Sequence, residues 1–336
     1  MAEQQAKPII AVTIGDPAGV GPETVVKAVA TGVVQQACLP LICGDLAVLD
    51  RAVQVTGVDL AFRAIESPQE VAEQDALAVV DLHAGGENAP IGKISREGGL
   101  AAFSAIERAV SYCLHGEAIA VATAPINKES LREAGVPYLD HTAILKGLTG
   151  ASSALTMFMT GALRVFFMTR HLPFREIAWH ITMLNIASYT RECASQMRRL
   201  GFPQPKLAVA ALNPHGGEHG MFGDEEIKEI APAIEELRRE GLDVSGPIPA
   251  DAVFHLAKEG EYDAVISLYH DQGHIATKTL DFYRTVSLTL ALPFLRTSVD
   301  HGTAFDIAGT GKANELSMVE AILAAANYGP AWRVGA

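Results

Sequence analysis

Three histidines stand where apolar, strand-like runs end: His171 after Leu163–Thr169, His215 after Leu207–Leu212 and His270 after Ala264–Leu268. They are 44 and 55 residues apart, which matches successive elements of one sheet. Open α/β sheets bind ligands at the carboxyl ends of their strands. Three imidazoles meeting at such an edge would hold a divalent cation (Zn²⁺, Co²⁺, Mn²⁺ or Mg²⁺) and leave positions open for substrate. A single histidine at a strand end is ordinarily a hydrogen-bonded loop residue, so the metal reading rests on the threefold recurrence. His83, His115, His180, His219, His255 and His274 lack that context and read as surface or satisfied side chains.

A second stretch, His301-Gly-Thr-Ala-Phe-Asp-Ile-Ala-Gly-Thr-Gly311, carries three glycines, two threonines, a histidine and an acid in eleven residues. It is too poor in large apolar side chains to be a core strand or helix, and its glycines permit close approach of backbone to a ligand. Asp306 among free amides suits a ribose diol and would repel a 2′-phosphate, which favours NAD over NADP. In Asp140-His141-Thr142 a helix start offers an imidazole and a hydroxyl beside free amides, an anion site. The plainer reading is that Asp140 caps the helix and His141 is solvated. Lys278, Ser287 and Arg296 follow downstream. The two cations would supply the local positive charge that a phosphorylated acid needs, or would pair with surface acids.

The elements around these residues alternate in the α/β manner. Ile9–Ile14 is a short apolar strand that runs into Gly15-Asp-Pro-Ala-Gly-Val-Gly-Pro-Glu23. Pro22 and Glu23 suit the first turn of a helix, and no Lys-Ser/Thr follows to make a Walker loop. Pro40–Cys43 and Leu77–Leu82 read as strands, and Leu46–Val55 and Arg96–Leu114 as helices. Ala118–Ala124 is continuous enough for a parallel strand covered on both faces, and it ends in Pro125-Ile-Asn-Lys128. Leu155–Met159 and Leu163–Thr169 form a strand pair, Ile181–Leu200 and Asp224–Glu240 are helical, and Thr285–Leu290 and Leu295–Val299 are strand-like. A helical run, Ser317–Ala326, closes the pattern.

The 336 residues fit two α/β domains, with 49% hydrophobic and 19% charged residues to build cores. A net charge of −13 argues against nucleic acid or an anionic membrane as partner. Cys38, Cys43, Cys113 and Cys193 are scattered without a C-x-x-C pair and read as reduced thiols. With no leader-like start and no apolar run of about 18 residues, a cytoplasmic protein is expected, with Met1–Lys7 a disordered tail.

The glycine-rich run resembles the cofactor loop of the isopropylmalate and isocitrate dehydrogenase fold, with Phe305 where that pattern has proline. The opening Gly-Asp-Pro-Ala-Gly-Val-Gly-Pro-Glu resembles the start of the same fold. With Thr-Ala-Pro-Ile-Asn-Lys, Asn-Pro-His, Tyr-His-Asp-Gln-Gly and Leu-Arg-Thr-Ser-Val-Asp-His-Gly-Thr-Ala, the chain resembles the 4-hydroxythreonine-4-phosphate dehydrogenase family from about Ile9 to Ala326. That resemblance implies a two-domain fold of the isocitrate dehydrogenase type with the active-site cleft between domains. The expected division is 1–140 plus 295–336 for the cofactor and 141–294 for metal, substrate and dimerisation.

It further implies His171, His215 and His270 as metal ligands, and His141, Thr142, Lys278, position 287 and Arg296 as substrate residues. His301, Gly302, Thr303, Asp306, Gly309 and Asn314 would hold NAD, and the protein would be a homodimer with its site near the interface. Asp251 and Lys128 are candidate bases by motif position, beside a metal-bound water. Ser287 stands where the vitamin B6 enzyme has a substrate-binding asparagine, the run before His141 does not end in glycine, and His171 follows arginine. These departures look like the branch that oxidises 4-phospho-D-threonate and 4-phospho-D-erythronate at C3, with loss of CO₂ to dihydroxyacetone phosphate. The alternatives are the B6 enzyme itself, a dihydrodiol dicarboxylate dehydrogenase, and a non-catalytic binding protein on the same scaffold.

Overall fold

A computed structural model describes residues 7–73 and 77–334. Met1–Ala6 of the expected tail lie outside them. Among the described residues the strands are, in chain order, β1 (Ile9–Thr13), β2 (Leu39–Gly44), β3 (Phe62–Ala64), β4 (Leu77–Asp81), β5 (Ala120–Thr123), β6 (Leu155–Thr160), β7 (Leu163–Phe167), β8 (Leu207–Ala210), β9 (Val244–Ile248), β10 (Ala264–Ser267), β11 (Val286–Leu290) and β12 (Leu295–Val299). The chain folds as two compact units. One holds the chain up to Ala154 together with Val286–Val334, and the other is Leu155–Thr285. The division thus falls after Ala154 and before Val286 rather than at 140 and 295, and the helix bearing His141 and Thr142 belongs to the first unit. Its buried Ile144 and Leu145 join the core under β1 and β5, which draws the helix there.

In the first unit the strand order is β3-β4-β2-β1-β5-β12-β11, parallel throughout except for the β11–β12 pair. Ile10, Ala11 and Val12 are fully buried, as is every residue of β5, because helices cover both faces. Helix Arg96–Leu114 lays Ala101, Ala105, Ile106 and Ala109 on this core. Its Ser95 cap accepts the Gly98 N–H at 3.0 Å. Gly99 is required because a Cβ there would lie 2.0 Å from the Ser130 carbonyl oxygen. Helix Leu316–Val334 packs against β12 and β5.

In the second unit the order is β6-β7-β10-β8-β9, with β6–β7 antiparallel and the rest parallel. Phe158, Val165, Phe167, Ala208, Val253 and Val265 form its core. The expected single helix over Asp224–Glu240 is instead a π turn, Glu226–Ile230, continued by an α-helix over Ala231–Arg239. Among the described residues no helix is long and apolar enough to cross a membrane.

Candidate active site

The glycine-rich segment is a loop running from β12 to helix Leu316–Val334, and it is fastened to the Gly15–Glu23 turn and the helix beyond it. Val20 N–H donates to the Thr303 carbonyl at 2.9 Å, and a Cβ on Gly19 would lie 2.8 Å from the Thr303 Cβ. Glu23, buried in the first turn of helix Gly21–Val29, accepts the Gly309 N–H at 2.6 Å and the Gly311 N–H at 2.8 Å. Lys27 Nζ donates to the carbonyls of Gly311 and Ala313 at 2.6 and 2.8 Å. Gly309 therefore spends its amide on Glu23 and does not offer it to a ligand. Thr303 is buried in the packing, and Asn314 Oδ1 accepts the Leu316 N–H at 2.8 Å to cap the next helix. What the loop presents is its first half. Gly302 is exposed with open space around its Cα, Asp306 is exposed, and His301 Nε2 is buried without a hydrogen-bond partner.

A second constellation in the same unit is built on β5, β11 and β12. Arg296 on β12 is only 6% exposed, yet its partners are hydroxyls. Nε and Nη2 donate to Thr123 Oγ1 at 3.0 and 2.7 Å, and Nη1 donates to Thr289 Oγ1 at 3.0 Å. Burial pushes its pKa down to about 9, against the pull of Asp140, so the guanidinium remains charged at neutral pH. Burial, and then the Arg296 charge, hold the His141 imidazole well below its usual range, so it is neutral, and its Nε2 is buried without a partner. Asp140 Oδ1 caps the helix by accepting the Ala143 N–H at 2.9 Å, the plain reading of that acid. Ser287, two residues before Thr289 on β11, faces the same side of the sheet. A buried cation hydrogen-bonded to hydroxyls and to no carboxylate, beside a neutral imidazole with an open nitrogen, can receive an anion. Lys128 is exposed on a helix capped by Asn127.

The second unit carries the three strand-end histidines. His171 and His270 come together with ring centroids 6.0 Å apart. His270 opens helix His270–Leu280, and its Nδ1 lies 2.7 Å from Asp271 Oδ1. One turn on, His274 stacks 4.1 Å from His270 and is wedged between Phe158 and Phe167 at 4.3 and 4.5 Å. Burial, then the His270 charge, push its pKa down to about 4. His274 is thus part of the packing beneath His270 rather than a surface residue.

His215 does not join the other two. Residues His215 to His219 all have positive φ, so the chain leaves β8 through a left-handed turn that carries the His215 imidazole to Glu218 Oε1, 3.2 Å away. Among the described residues no three His, Cys, Asp or Glu side chains gather closely enough to hold a cation. His215 instead lines a cavity of about 620 Å³ with Phe174, Asn213, Glu225, Asp251 and Tyr269. Lys278, on the helix that His270 opens, lies over the Phe282 ring at 5.4 Å.

Residues 36–325 match the family described as pyridoxal phosphate biosynthetic protein PdxA. The chain belongs to the PdxA family. A Clostridium botulinum protein named "Putative D-threonate 4-phosphate dehydrogenase" is 50% identical over 331 residues, covering 97% of this chain and 98% of that one. A protein of the same name from Symbiobacterium thermophilum is 48% identical over 333 residues, with the same coverage. A solved 4-hydroxythreonine-4-phosphate dehydrogenase from Klebsiella pneumoniae superposes with a TM-score of 0.87 at 40% identity, covering 97% of this chain and 99% of that one. A terephthalate 1,2-cis-dihydrodiol dehydrogenase from Burkholderia xenovorans is more distant, with a TM-score of 0.65 at 26% identity over 97% and 99% of the two chains. This PdxA-family chain is an enzyme acting on a CH–OH group.

The residues of the PdxA-family chain fit a dinucleotide at the His301–Asp306 half of the loop, where Gly302 and the Asp306 carboxylate are exposed and the His301 Nε2 is left without a partner. For a divalent cation they supply an adjacent pair, His171 and His270, and a third imidazole, His215, held elsewhere by its turn. Sequence reasoning missed Thr123 and Thr289, which orient Arg296, and read Glu23 only as a helix-start acid. The one available signal was a threonine inside the apolar run Ala118–Ala124.

Proposed function

We propose that this chain is an NAD-dependent dehydrogenase that oxidises the C3 hydroxyl of a four-carbon acid carrying phosphate on C4, with 4-phospho-D-threonate or 4-phospho-D-erythronate as substrate. The observation that carries the reading is the buried Arg296, hydrogen-bonded to threonine hydroxyls rather than to a carboxylate, beside neutral His141. It is a ready receptor for one anionic group of such a substrate, with Ser287 on the same side of the sheet. The names of the relatives near 50% identity agree with this substrate class.

His301, Gly302 and Asp306 would hold NAD⁺ to accept the hydride from C3, and the hydroxyl proton would pass to a base, giving a 3-oxo acid. We assign the base to Asp251, which shares a cavity with His215; Lys128 is the alternative. The 3-oxo acid is a β-keto acid and loses CO₂ to give dihydroxyacetone phosphate. A divalent cation (Zn²⁺, Co²⁺, Mn²⁺ or Mg²⁺) would need His215 brought to the His171–His270 pair, as by a second copy of the chain; held there it would lower the hydroxyl's pKa and stabilise enolate charge. Asp306 would hold the adenosine ribose. The protein works in the cytoplasm as a homodimer with the site near the interface.

The deciding experiment is NADH formation with 4-phospho-D-threonate and with 4-phosphooxy-L-threonine, each with and without divalent metal. A preference for phosphothreonate of about a hundredfold in kcat/KM, roughly 2.7 kcal/mol, is expected. The reverse preference would make this a 4-hydroxythreonine-4-phosphate dehydrogenase, the name its solved relatives carry, and absence of NADH with either would remove the dehydrogenase reading of the site.

A further inference from the structure

Glycine-rich loops at the start of α/β units cradle phosphate because successive amides converge on an anion. Here the converging amides of Gly309 and Gly311, both at left-handed φ (+77° and +72°), already have an anion. It is the carboxylate of Glu23, which is itself only 3% exposed and makes two part-buried bonds to the loop. Lys27, one turn further along the same helix, takes the opposite polarity from the same segment, the carbonyls of Gly311 and Ala313. One helix face therefore reads amides with a carboxylate and carbonyls with an ammonium. A substitution that only loosened the fold would have no reason to act on one ligand more than another.

We propose that Glu23 and Lys27 are positioning residues for the dinucleotide: an internal anion occupies the nest at Gly309 and Gly311, and this sets the shape in which His301, Gly302 and Asp306 meet the cofactor. The Gly-Asp-Pro-Ala-Gly-Val-Gly-Pro-Glu turn then acts on the cofactor through the second glycine loop rather than by touching it. Two further features support this. Val20, in the same turn, donates to the Thr303 carbonyl and packs with Ala308 and Ala313, and Gly19 admits Thr303 only because it has no Cβ. The part of the loop that Glu23 and Lys27 do not bond directly is the His301–Asp306 half, with the buried, unpartnered Nε2 of His301 within it.

The inference rests on the reading that this loop binds NAD, and the experiment separates the two. NADH binding is followed by fluorescence titration of the full-length chain, alongside steady-state kinetics, for wild type, E23Q and K27M. Glu23→Gln keeps the shape, but its one amide oxygen can accept only one of the two N–H groups, without charge, and its NH₂ faces the other. It is expected to raise the NADH Kd and the KM for NAD⁺ by about 10- to 100-fold. The kcat at saturating NAD⁺ and the KM for the phosphorylated acid should hold. Lys27→Met should raise the NADH Kd by about 3- to 10-fold. A folded E23Q protein with wild-type NADH affinity overturns the inference and leaves the NAD reading standing. Wild-type protein that binds no NADH overturns the NAD reading itself. If E23Q does not fold, K27M decides: unchanged NADH affinity in that variant also overturns the proposal.

Discussion

Arg296 shows how much a single side chain depends on neighbours with no charge of their own. Three of its N–H groups end on two threonine hydroxyls, so both guanidinium orientation and burial are set by Thr123 and Thr289. Replacing Thr123 with valine keeps the volume and leaves two guanidinium donors without an acceptor. Hydrogen bonds to charged groups contribute about 1.5–3 kcal/mol, so kcat/KM for the phosphorylated acid should fall roughly 10- to 100-fold. The KM for NAD⁺ should stay within about twofold, because a loss of one substrate's binding alone is a split that general destabilisation does not produce. Steady-state kinetics with each substrate varied in turn measure it, and equal effects on both KM values would remove Thr123 from this role. Arg296 was legible in the sequence as a cation in a polar stretch. Thr123 was not, because its partner lies 173 residues away and a threonine inside an apolar run looks like an ordinary β-branched strand residue.

At the scale of elements, strand ends were legible and the turns after them were not. Apolar runs located β7, β8 and β10, and with them His171, His215 and His270. The direction of each imidazole depends on the backbone that follows. After β10 a helix begins at once and brings His270 beside His171. After β8 five consecutive residues adopt left-handed φ, three of them non-glycine, at a cost of roughly 1–2 kcal/mol each.

The turn is held from behind by Glu226, buried in the π turn, whose carboxylate accepts the N–H groups of Leu212 and Asn213 at 2.8 and 2.7 Å and the Asn213 side-chain amide at 2.9 Å. Glu226 is the buried first residue of the π turn, a feature that the smooth helix expected over Asp224–Glu240 gave no hint of. Glu226→Leu would leave those donors unsatisfied at about 1–3 kcal/mol each. We expect a loss of about 3 kcal/mol in urea unfolding, together with loss of turnover. Wild-type stability in this variant would show that the turn does not need its anchor.

At the scale of the whole molecule, the proposed metal site is incomplete among the described residues of one chain. His171 and His270 pair, His215 stands apart, and no third ligand joins them among the described residues. The unit that carries them also exposes large apolar side chains: Phe174 at 78%, Trp179 at 72% and Met221 at 78%. Phe174 lines the same cavity as His215 and Asp251, and Met221 closes the left-handed turn. Apolar surface of this kind on an acidic protein is what contact with a second copy would cover. The homodimer reading accounts for both observations, since a second copy would cover the apolar side chains and would bring further ligands toward an incomplete set. Sedimentation equilibrium should therefore give twice the 35.6 kDa chain mass. Trp179→Glu or Met221→Glu places a charge against apolar surface in the dimer at a cost of several kcal/mol, and should yield monomer. That monomer should retain its fold and its NADH affinity, because the cofactor loop and its Glu23 clamp lie wholly within the other unit. It should lose metal-dependent turnover. A monomeric wild type, or a monomeric variant with full activity, would place the complete site within a single chain and require His215 to reach His171 and His270 by refolding its left-handed turn.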